Sequence, residues 1–323
     1  MASTRRQKLL FTPGPPPVLR SGVHALEGAF GRGDAIYDHQ RATVLDWLRG
    51  LTGKSEVVEL QGAGSMAIEI MIRNFLFGSI LLVHTGHYSQ RMREMCDALS
   101  RSPGAQIRTI ETVSYEDISS VQNRYDWVLG VFVETSVATK QDIGLLRLLA
   151  ERTGAKLAID AVASIGLEAQ HELADVMAFS SCKGLLGMTG ASFLAFDEFP
   201  HNSVDSFALS LDSHAERKMT GPYAQIQYLY GILPNYANHT MAVTSNKSAA
   251  LKRFRGFLAN PPDREPNLCT RLTCQVQTSN MNSVLYSPRS GGSGAIINHL
   301  GEVILGARAR GKILRVLDLE AQT

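Results

Sequence analysis

The chain has 323 residues, of which 44% are hydrophobic and 19% are charged, a balance typical of a globular protein with a large core. Its 32 lysines and arginines nearly match its 30 acidic residues, and the net charge of +2 argues against nucleic acid or an anionic membrane as a partner. No apolar run approaches the roughly 20 residues that span a bilayer, and the N-terminal MASTRRQKLLFTPGPPP lacks a secretion signal. We therefore expect a cytoplasmic protein that binds a small molecule in a pocket.

The cysteines are few for this length and include no C-x-x-C pair. They are Cys96, Cys182, Cys269 and Cys274. Because disulfide frameworks and zinc modules need denser cysteine patterns, the sequence predicts reduced thiols and no metal site.

The first predicted element is an extended N-terminal arm over residues 1–20. The run Thr12-Pro-Gly-Pro-Pro-Pro17 is stiff, because proline fixes φ and disfavours helix at the residue before it. Such an arm can be a simple terminus, or it can fold back across a binding site. The sequence leaves both possibilities open.

A large domain is predicted over residues 21–249. Within it, short apolar or β-branched runs alternate with amphipathic stretches, which predicts an α/β fold with a mostly parallel sheet and helices on both faces. The predicted strands are 57–60, 79–84, 107–110, 127–133, 156–160, 176–179 and 191–196. The predicted helices are 66–77, 90–100 and 144–152. The pattern changes after Asp197, and we predict a small C-terminal α+β domain over residues 250–323.

Candidate functional residues follow the strands, at the edge where ligands collect in open α/β sheets. The first group is Gln61-Gly-Ala-Gly-Ser65, which connects a strand to a helix. Its glycines allow close backbone approach, and the N–H groups of a helix N-terminus, with the Ser65 hydroxyl, attract an anion. The loop is either a phosphate cradle or an ordinary connection.

Three further side chains have a functional and a structural interpretation. Asp160 ends a strand, where a carboxylate can pair with a protonated ring nitrogen or cap a helix. Lys183 lies among small and hydroxyl residues in Phe179-Ser-Ser-Cys-Lys-Gly184, a setting that suits a reactive amine but also a structural lysine. Tyr88 can lie against a planar ligand or pack in the core.

The order and spacing of these motifs resemble one family over residues 8 to about 200. The shared motifs are Phe11-Thr-Pro-Gly-Pro15, Gln61-Gly-Ala-Gly-Ser65, Gly86-His-Tyr-Ser-Gln-Arg-Met92, Glu134-Thr135, Ile159-Asp-Ala-Val-Ala-Ser-Ile-Gly166 and Ser180-Ser-Cys-Lys183. They resemble the class V aminotransferases, which are fold type I enzymes that use pyridoxal 5′-phosphate. Within this family the resemblance is strongest to 2-aminoethylphosphonate:pyruvate transaminases.

The resemblance implies two catalytic residues and a set of cofactor contacts. Lys183 would form a Schiff base with pyridoxal phosphate, and Asp160 would pair with the pyridine nitrogen. The other expected contacts are Gly64 and Ser65 to the phosphate, Tyr88 over the ring, Val162 behind the ring and Thr135 near the 3′-oxygen.

A further segment implies a homodimer. Tyr236-Ala-Asn-His-Thr240 resembles the part of the family's chain that reaches into the neighbouring subunit's site. Thr240 is therefore expected to bind the cofactor phosphate of the other subunit, so that each active site is composite.

The C-terminal domain departs from the family pattern. The segment Ile296-Ile-Asn-His-Leu-Gly-Glu-Val303 resembles the one that carries the family's substrate-carboxylate arginine, but Ile296 stands at the arginine position. The region before it is also shorter than in the family. Arg289 and Arg308 are candidates to replace the missing arginine.

The leading interpretation is a transaminase that moves an amino group between a small amine or amino acid, such as a 2-aminoethylphosphonate-like compound, and a 2-oxo acid. Fold resemblance alone does not determine chemistry. One alternative is a pyridoxal phosphate enzyme that catalyses elimination, replacement or carbon–carbon bond formation on an amino acid in a biosynthetic pathway. Another is a catalytically silent binding protein, although the retention of Lys183, Asp160 and Ser65 argues against it.

Overall fold

The computed structural model describes residues 8–102, 104–288, 294–301, 303 and 313–319. Its centre is a seven-stranded sheet. The strands are β1 (Glu56–Gln61), β2 (Gly78–His84), β3 (Ile107–Ser114), β4 (Trp127–Val131), β5 (Lys156–Asp160), β6 (Val176–Ser180) and β7 (Ala191–Phe196). They lie in the order β1-β7-β6-β5-β4-β2-β3, and β7 runs antiparallel to both of its neighbours while the other pairs are parallel. All seven predicted strands are confirmed.

Eight α-helices accompany the sheet in the described part of the chain. They are α1 (Arg20–His24), α2 (Ala35–Thr52), α3 (Gly64–Phe75), α4 (His87–Ser100), α5 (Ile143–Thr153), α6 (Leu211–Ala215), α7 (Tyr223–Ile232) and α8 (Tyr236–Arg253). Local sequence sets the ends of α2 and α5. In each, the helix begins after an aspartate whose carboxylate accepts backbone N–H bonds, and it ends at a glycine with left-handed backbone.

The sheet separates two hydrophobic cores, because successive strand residues point to opposite faces. On β4, Val128 belongs to the core that contains residues of α2, α5 and α7, whereas Leu129 belongs to the core that contains residues of α3 and α4. Both faces of the sheet are therefore buried. This explains why the strands consist of near-continuous apolar residues rather than of alternating polar and apolar ones.

The C-terminal region consists of short strand pairs that enclose a third core. Cys269–Arg271 pairs with Ile296–Asn298, and Val276–Gln277 pairs with Asp318–Leu319. The N-terminal arm joins this region, because Leu9–Leu10 forms a parallel pair with Ser283–Val284. The arm is thus integrated into the C-terminal region by backbone hydrogen bonds.

The domain limits 1–20, 21–249 and 250–323 stay predictions. Helix α8 continues through residue 250 without a break, so the predicted boundary between the two larger domains falls inside this helix. Among the described residues, no helix has both the length and the apolar character needed to cross a bilayer.

Candidate active site

Seven of the eight predicted site residues line one cavity of about 190 Å³. They are Gly64, Ser65, Tyr88, Thr135, Asp160, Val162 and Lys183. Strands β1 and β6 both run antiparallel to β7 and so point the same way, and β5 is parallel to β6. The carboxyl ends of these strands therefore meet at one edge of the sheet, where the residues that follow them converge.

The glycine loop forms the part of the cavity suited to an anion. A Cβ atom at Gly64 would lie only 2.7 Å from Cγ2 of Val162 and 3.3 Å from Cβ of Ser180, so no larger residue fits without displacement. Helix α3 begins at Gly64, and its N-cap residue, Ala63, makes no side-chain hydrogen bond to the first turn. The N–H groups of this helix N-terminus, with the Ser65 hydroxyl beside them, are suited to bind a phosphate group.

Asp160 is a buried carboxylate, only 5% exposed, at the end of the central strand β5. Its Oδ1 accepts a hydrogen bond of 2.8 Å from the backbone N–H of Val162. Burial raises its pKa from 3.8 to about 6, against the opposing effects of the Val162 hydrogen bond and of the positive charges of Lys183 and Arg91. No helix begins at Asp160, so the interpretation as a helix cap is wrong.

Lys183 and Tyr88 face each other across the cavity. The Lys183 Nζ lies 5.6 Å from the centroid of the Tyr88 ring. The position of Tyr88 is fixed by Glu134, a fully buried carboxylate whose Oε2 accepts hydrogen bonds from the backbone N–H groups of Tyr88 at 3.0 Å and Ser89 at 3.3 Å. Glu134 thus anchors the first turn of α4.

Thr135 supplies an unsatisfied polar atom in the cavity. Its Oγ1 is buried and has no hydrogen-bond partner among the described residues. Because burying a hydroxyl without a partner is costly, the atom indicates a polar ligand group at this point. The anion cradle, the buried carboxylate, the lysine, the aromatic ring and this hydroxyl together fit pyridoxal phosphate.

The N-terminal arm covers the lysine segment. Gly14 has φ +133°, and a Cβ atom there would lie 2.7 Å from the carbonyl oxygen of Cys182 and 3.3 Å from Cγ of Lys183. Of the two possibilities that the sequence left open, the arm therefore folds back against the site. Only glycine permits both this backbone conformation and this close approach.

Thr240 does not join the cavity within one chain. It lies on α8, half-buried, and its Oγ1 donates a hydrogen bond of 3.0 Å to the carbonyl oxygen of Ala237. It lines a separate surface cavity with Gly166 and Leu167. Its expected role in a neighbouring subunit stays a prediction.

Ile296 is also outside the cavity lining. Its side chain is 4% exposed and packs in a hydrophobic core, and it pairs with Arg271 on the adjacent strand. The two other candidates for the missing arginine, Arg289 and Arg308, lie outside the described residues.

The sequence analysis assigned no role to Arg91 or Glu134, although both lie in motifs that it quoted. Arg91 lines the cavity, with its guanidinium carbon 4.9 Å from the Tyr88 ring centroid. An available signal was the i, i+3 spacing of Tyr88 and Arg91, which places both side chains on one face of a helix.

Comparison with known proteins identifies the family. The sequence pattern of the aminotransferase class-V family matches residues 19–212, more than half of the chain. The chain belongs to the class V aminotransferase family. Enzymes of this family depend on pyridoxal phosphate, so the expected family and cofactor are confirmed.

The similar curated proteins are 2-aminoethylphosphonate–pyruvate transaminases. The one from Pseudomonas aeruginosa is 28% identical over 241 residues, which cover 69% of this chain and 65% of that protein. The one from Cupriavidus taiwanensis is 26% identical over 220 residues, or 64% and 58% of the two chains. The chain therefore spans less than two thirds of the length of these relatives.

Solved structures share the fold across nearly the whole chain. The aspartate aminotransferase of Thermus thermophilus has a TM-score of 0.77 at 18% identity, with 95% of this chain and 96% of that chain covered. The alanine–glyoxylate aminotransferase of Nostoc sp. has a TM-score of 0.77 at 17% identity, with 96% of each chain covered. The cysteine desulfurase of Thermococcus onnurineus has a TM-score of 0.67 at 14% identity, with 96% and 93% covered. The predicted fold type I architecture is confirmed.

Proposed function

We propose that this class V aminotransferase family member is a pyridoxal phosphate-dependent transaminase that moves an amino group between a small amine or amino acid and a 2-oxo acid. The observation that carries the proposal is the convergence of Lys183, Asp160 and Tyr88 in one cavity with an anion cradle. These are the groups that a transaminase needs to hold its cofactor and to move a proton at the substrate carbon.

Each residue has a defined task in this proposal. The bound cofactor supplies an electron sink for the substrate carbon. The buried Asp160 carboxylate would keep the ring nitrogen protonated, because a negative charge next to that nitrogen favours its protonated form. Tyr88 and Val162, which line the cavity, would hold the planar ring between them. The Lys183 amine would serve as the group that holds and moves a proton at the substrate carbon.

We propose a 2-aminoethylphosphonate-like amine as the amino donor. Support comes from the names of the curated relatives, at 25–28% identity. The fold does not separate transamination from other reactions, because a cysteine desulfurase has it too.

We further propose a cytoplasmic homodimer with composite sites. In support of the cytoplasm, all four cysteines are free, as expected where thiols are kept reduced. In support of a dimer, the half-buried Thr240 lines a surface cavity with polar neighbours Thr244 and Ser245, where an incoming phosphate from a second subunit can be bound.

The experiment that tests the activity mixes the purified holoprotein with candidate amines and follows the visible absorbance of the cofactor. A transaminase converts bound pyridoxal phosphate into pyridoxamine phosphate in a single half-reaction, and a 2-oxo acid reverses the change. If the protein consumes the amine and releases product while the cofactor spectrum returns unchanged, the reaction is instead elimination, replacement or carbon–carbon bond formation.

A further inference from the structure

We propose that Arg91 binds the anionic group of the substrate, a carboxylate or a phosphonate, in the cavity that holds Lys183. The inference rests on the proposed function, since it assigns a substrate contact within the same site. It makes Arg91 a specificity-determining residue that the resemblance to the family did not assign.

Among the described residues, Arg91 has no acceptor. Its Nε is buried without a hydrogen-bond partner there, and its guanidinium forms no ion pair with any of these residues. The contrast with Arg93 on the same helix is direct, because the Arg93 Nε bonds both oxygens of Asp97 at 3.0 Å and its Nη1 donates to Thr112. A partly buried guanidinium with an unpaired N–H group is costly, so an anionic ligand would remove that cost.

The position of Arg91 suits a substrate that also reaches Lys183. Its guanidinium carbon is 4.9 Å from the Tyr88 ring centroid, and the Lys183 Nζ is 5.6 Å from the same centroid. One ring is therefore shared by both cations. Because both cations also line one cavity, a small molecule whose reacting carbon lies at Lys183 can place its anionic group near Arg91.

The charge of the cavity also favours an anion. Among the described residues that line it, Asp160 is the one carboxylate, whereas Lys183 and Arg91 are both cationic. Asp160 interacts electrostatically with both, but its Oδ1 is already bonded to Val162. If Asp160 pairs with the cofactor ring, it does not neutralise the positive charge of Arg91. That charge is then available to bind the anionic group of the substrate.

Ile296 stands where the sequence analysis expected the carboxylate-binding arginine, so another donor to the substrate anion is needed. Ile296 is buried in a hydrophobic core and does not line the cavity, so it offers no donor to a carboxylate. Arg91 offers a planar set of N–H donors, which match two oxygens of a carboxylate or phosphonate at once.

The test measures anion binding without turnover. The holoprotein is titrated with propionate and, separately, with methylphosphonate, which have no amino or keto group, and the dissociation constants are read from the cofactor's visible band or by calorimetry. We expect Arg91→Gln to weaken binding of the preferred anion at least tenfold and Arg91→Lys to have an intermediate effect. Arg93→Gln removes the same charge from the same helix but should leave both constants within twofold of wild type. The anion whose binding is weakened more by Arg91→Gln shows whether Arg91 binds a carboxylate or a phosphonate of the substrate.

Three results would overturn the proposal. In the first, Arg91→Gln binds both anions as tightly as wild type does. In the second, the variant needs far more pyridoxal phosphate but binds the anions normally once loaded, which would assign Arg91 to the cofactor. In the third, wild-type holoprotein binds neither anion at millimolar concentration, a result that needs no variant to fold. Because no amino group is transferred in these titrations, they are independent of whether transamination itself is observed.

Discussion

Replacing Asp160 with asparagine should stabilise the cofactor-free protein while it removes activity. Burial raises the pKa of the Asp160 carboxyl from 3.8 to about 6, so the folded protein binds a proton more tightly than the unfolded chain does. Stability is therefore lost as the pH rises from about 4 through 6. Above that window the ionised carboxylate destabilises the fold by about 3 kcal/mol, from roughly two pKa units at about 1.4 kcal/mol each.

Asparagine avoids this cost and keeps the local geometry. Its amide oxygen can still accept the 2.8 Å hydrogen bond from the Val162 N–H, which Asp160 accepts through Oδ1. We expect the cofactor-free Asp160→Asn protein to be more stable than wild type by up to about 3 kcal/mol at pH 8, and the difference to vanish near pH 4. In the loaded enzyme, turnover should fall severely, because a neutral amide cannot hold the proton on the ring nitrogen.

The assay is thermal melting of the cofactor-free proteins at pH 5 and pH 8. A gain of this size corresponds to a rise of roughly 5 °C or more in melting temperature at pH 8 and to a smaller rise at pH 5. Asp205→Asn is the matched control, since it makes the same chemical change at an exposed position outside any helix and should shift neither curve appreciably. The reasoning is refuted if Asp160→Asn melts at or below wild type at pH 8, or if its gain does not depend on pH.

Three further predictions concern the other site residues. Borohydride reduction of the holoprotein followed by peptide mapping should label Lys183, and a label on another lysine would overturn the site assignment. Thr240→Val should weaken cofactor binding in a protein that still sediments as a dimer; a wild-type monomer with full turnover at high dilution would contradict the composite site. Ile296→Arg should lower the melting temperature without improving binding of pyruvate, because Ile296 is 4% exposed in a hydrophobic core and does not line the cavity. Tighter binding of pyruvate by a variant that melts like the wild type would contradict this placement of Ile296.

The sheet could be predicted from sequence because each strand is buried on both faces. Such strands consist of nearly continuous apolar residues, as in Trp127–Val131, and they stand out from the amphipathic segments around them. The helix boundaries were less accurate. Helix α4 begins at His87 rather than at residue 90, because the distant Glu134 carboxylate accepts the N–H groups of its first turn. A contact 46 residues away leaves no local signal, although the Gly86 N–H also donates to the Ser89 Oγ, three residues on, at 3.0 Å.

The cavity was largely predictable because its residues directly follow strands, and strand order brings those ends together. Arg91 was given no role, because an arginine in a helix is ordinarily solvated and its i, i+3 spacing from Tyr88 was not used. Its burial beside Tyr88 becomes evident only in three dimensions. The C-terminal strands could not be predicted from the sequence either. Strands such as Cys269–Arg271 and its partner Ile296–Asn298 are too short to show a periodic pattern of apolar residues.

The pairing of the N-terminal arm with the C-terminal region has a consequence for synthesis of the protein. Leu9 and Leu10 find their partner strand only at Ser283 and Val284, and the carbonyl oxygen of Phe11 accepts its hydrogen bond from the Asn298 side chain. On the ribosome, the pairing of Leu9 and Leu10 cannot form until residues 283 and 284 have emerged, and closing so long a loop is entropically costly. The arm that carries Gly14, next to Lys183, is therefore tied to the C-terminal region only late in synthesis.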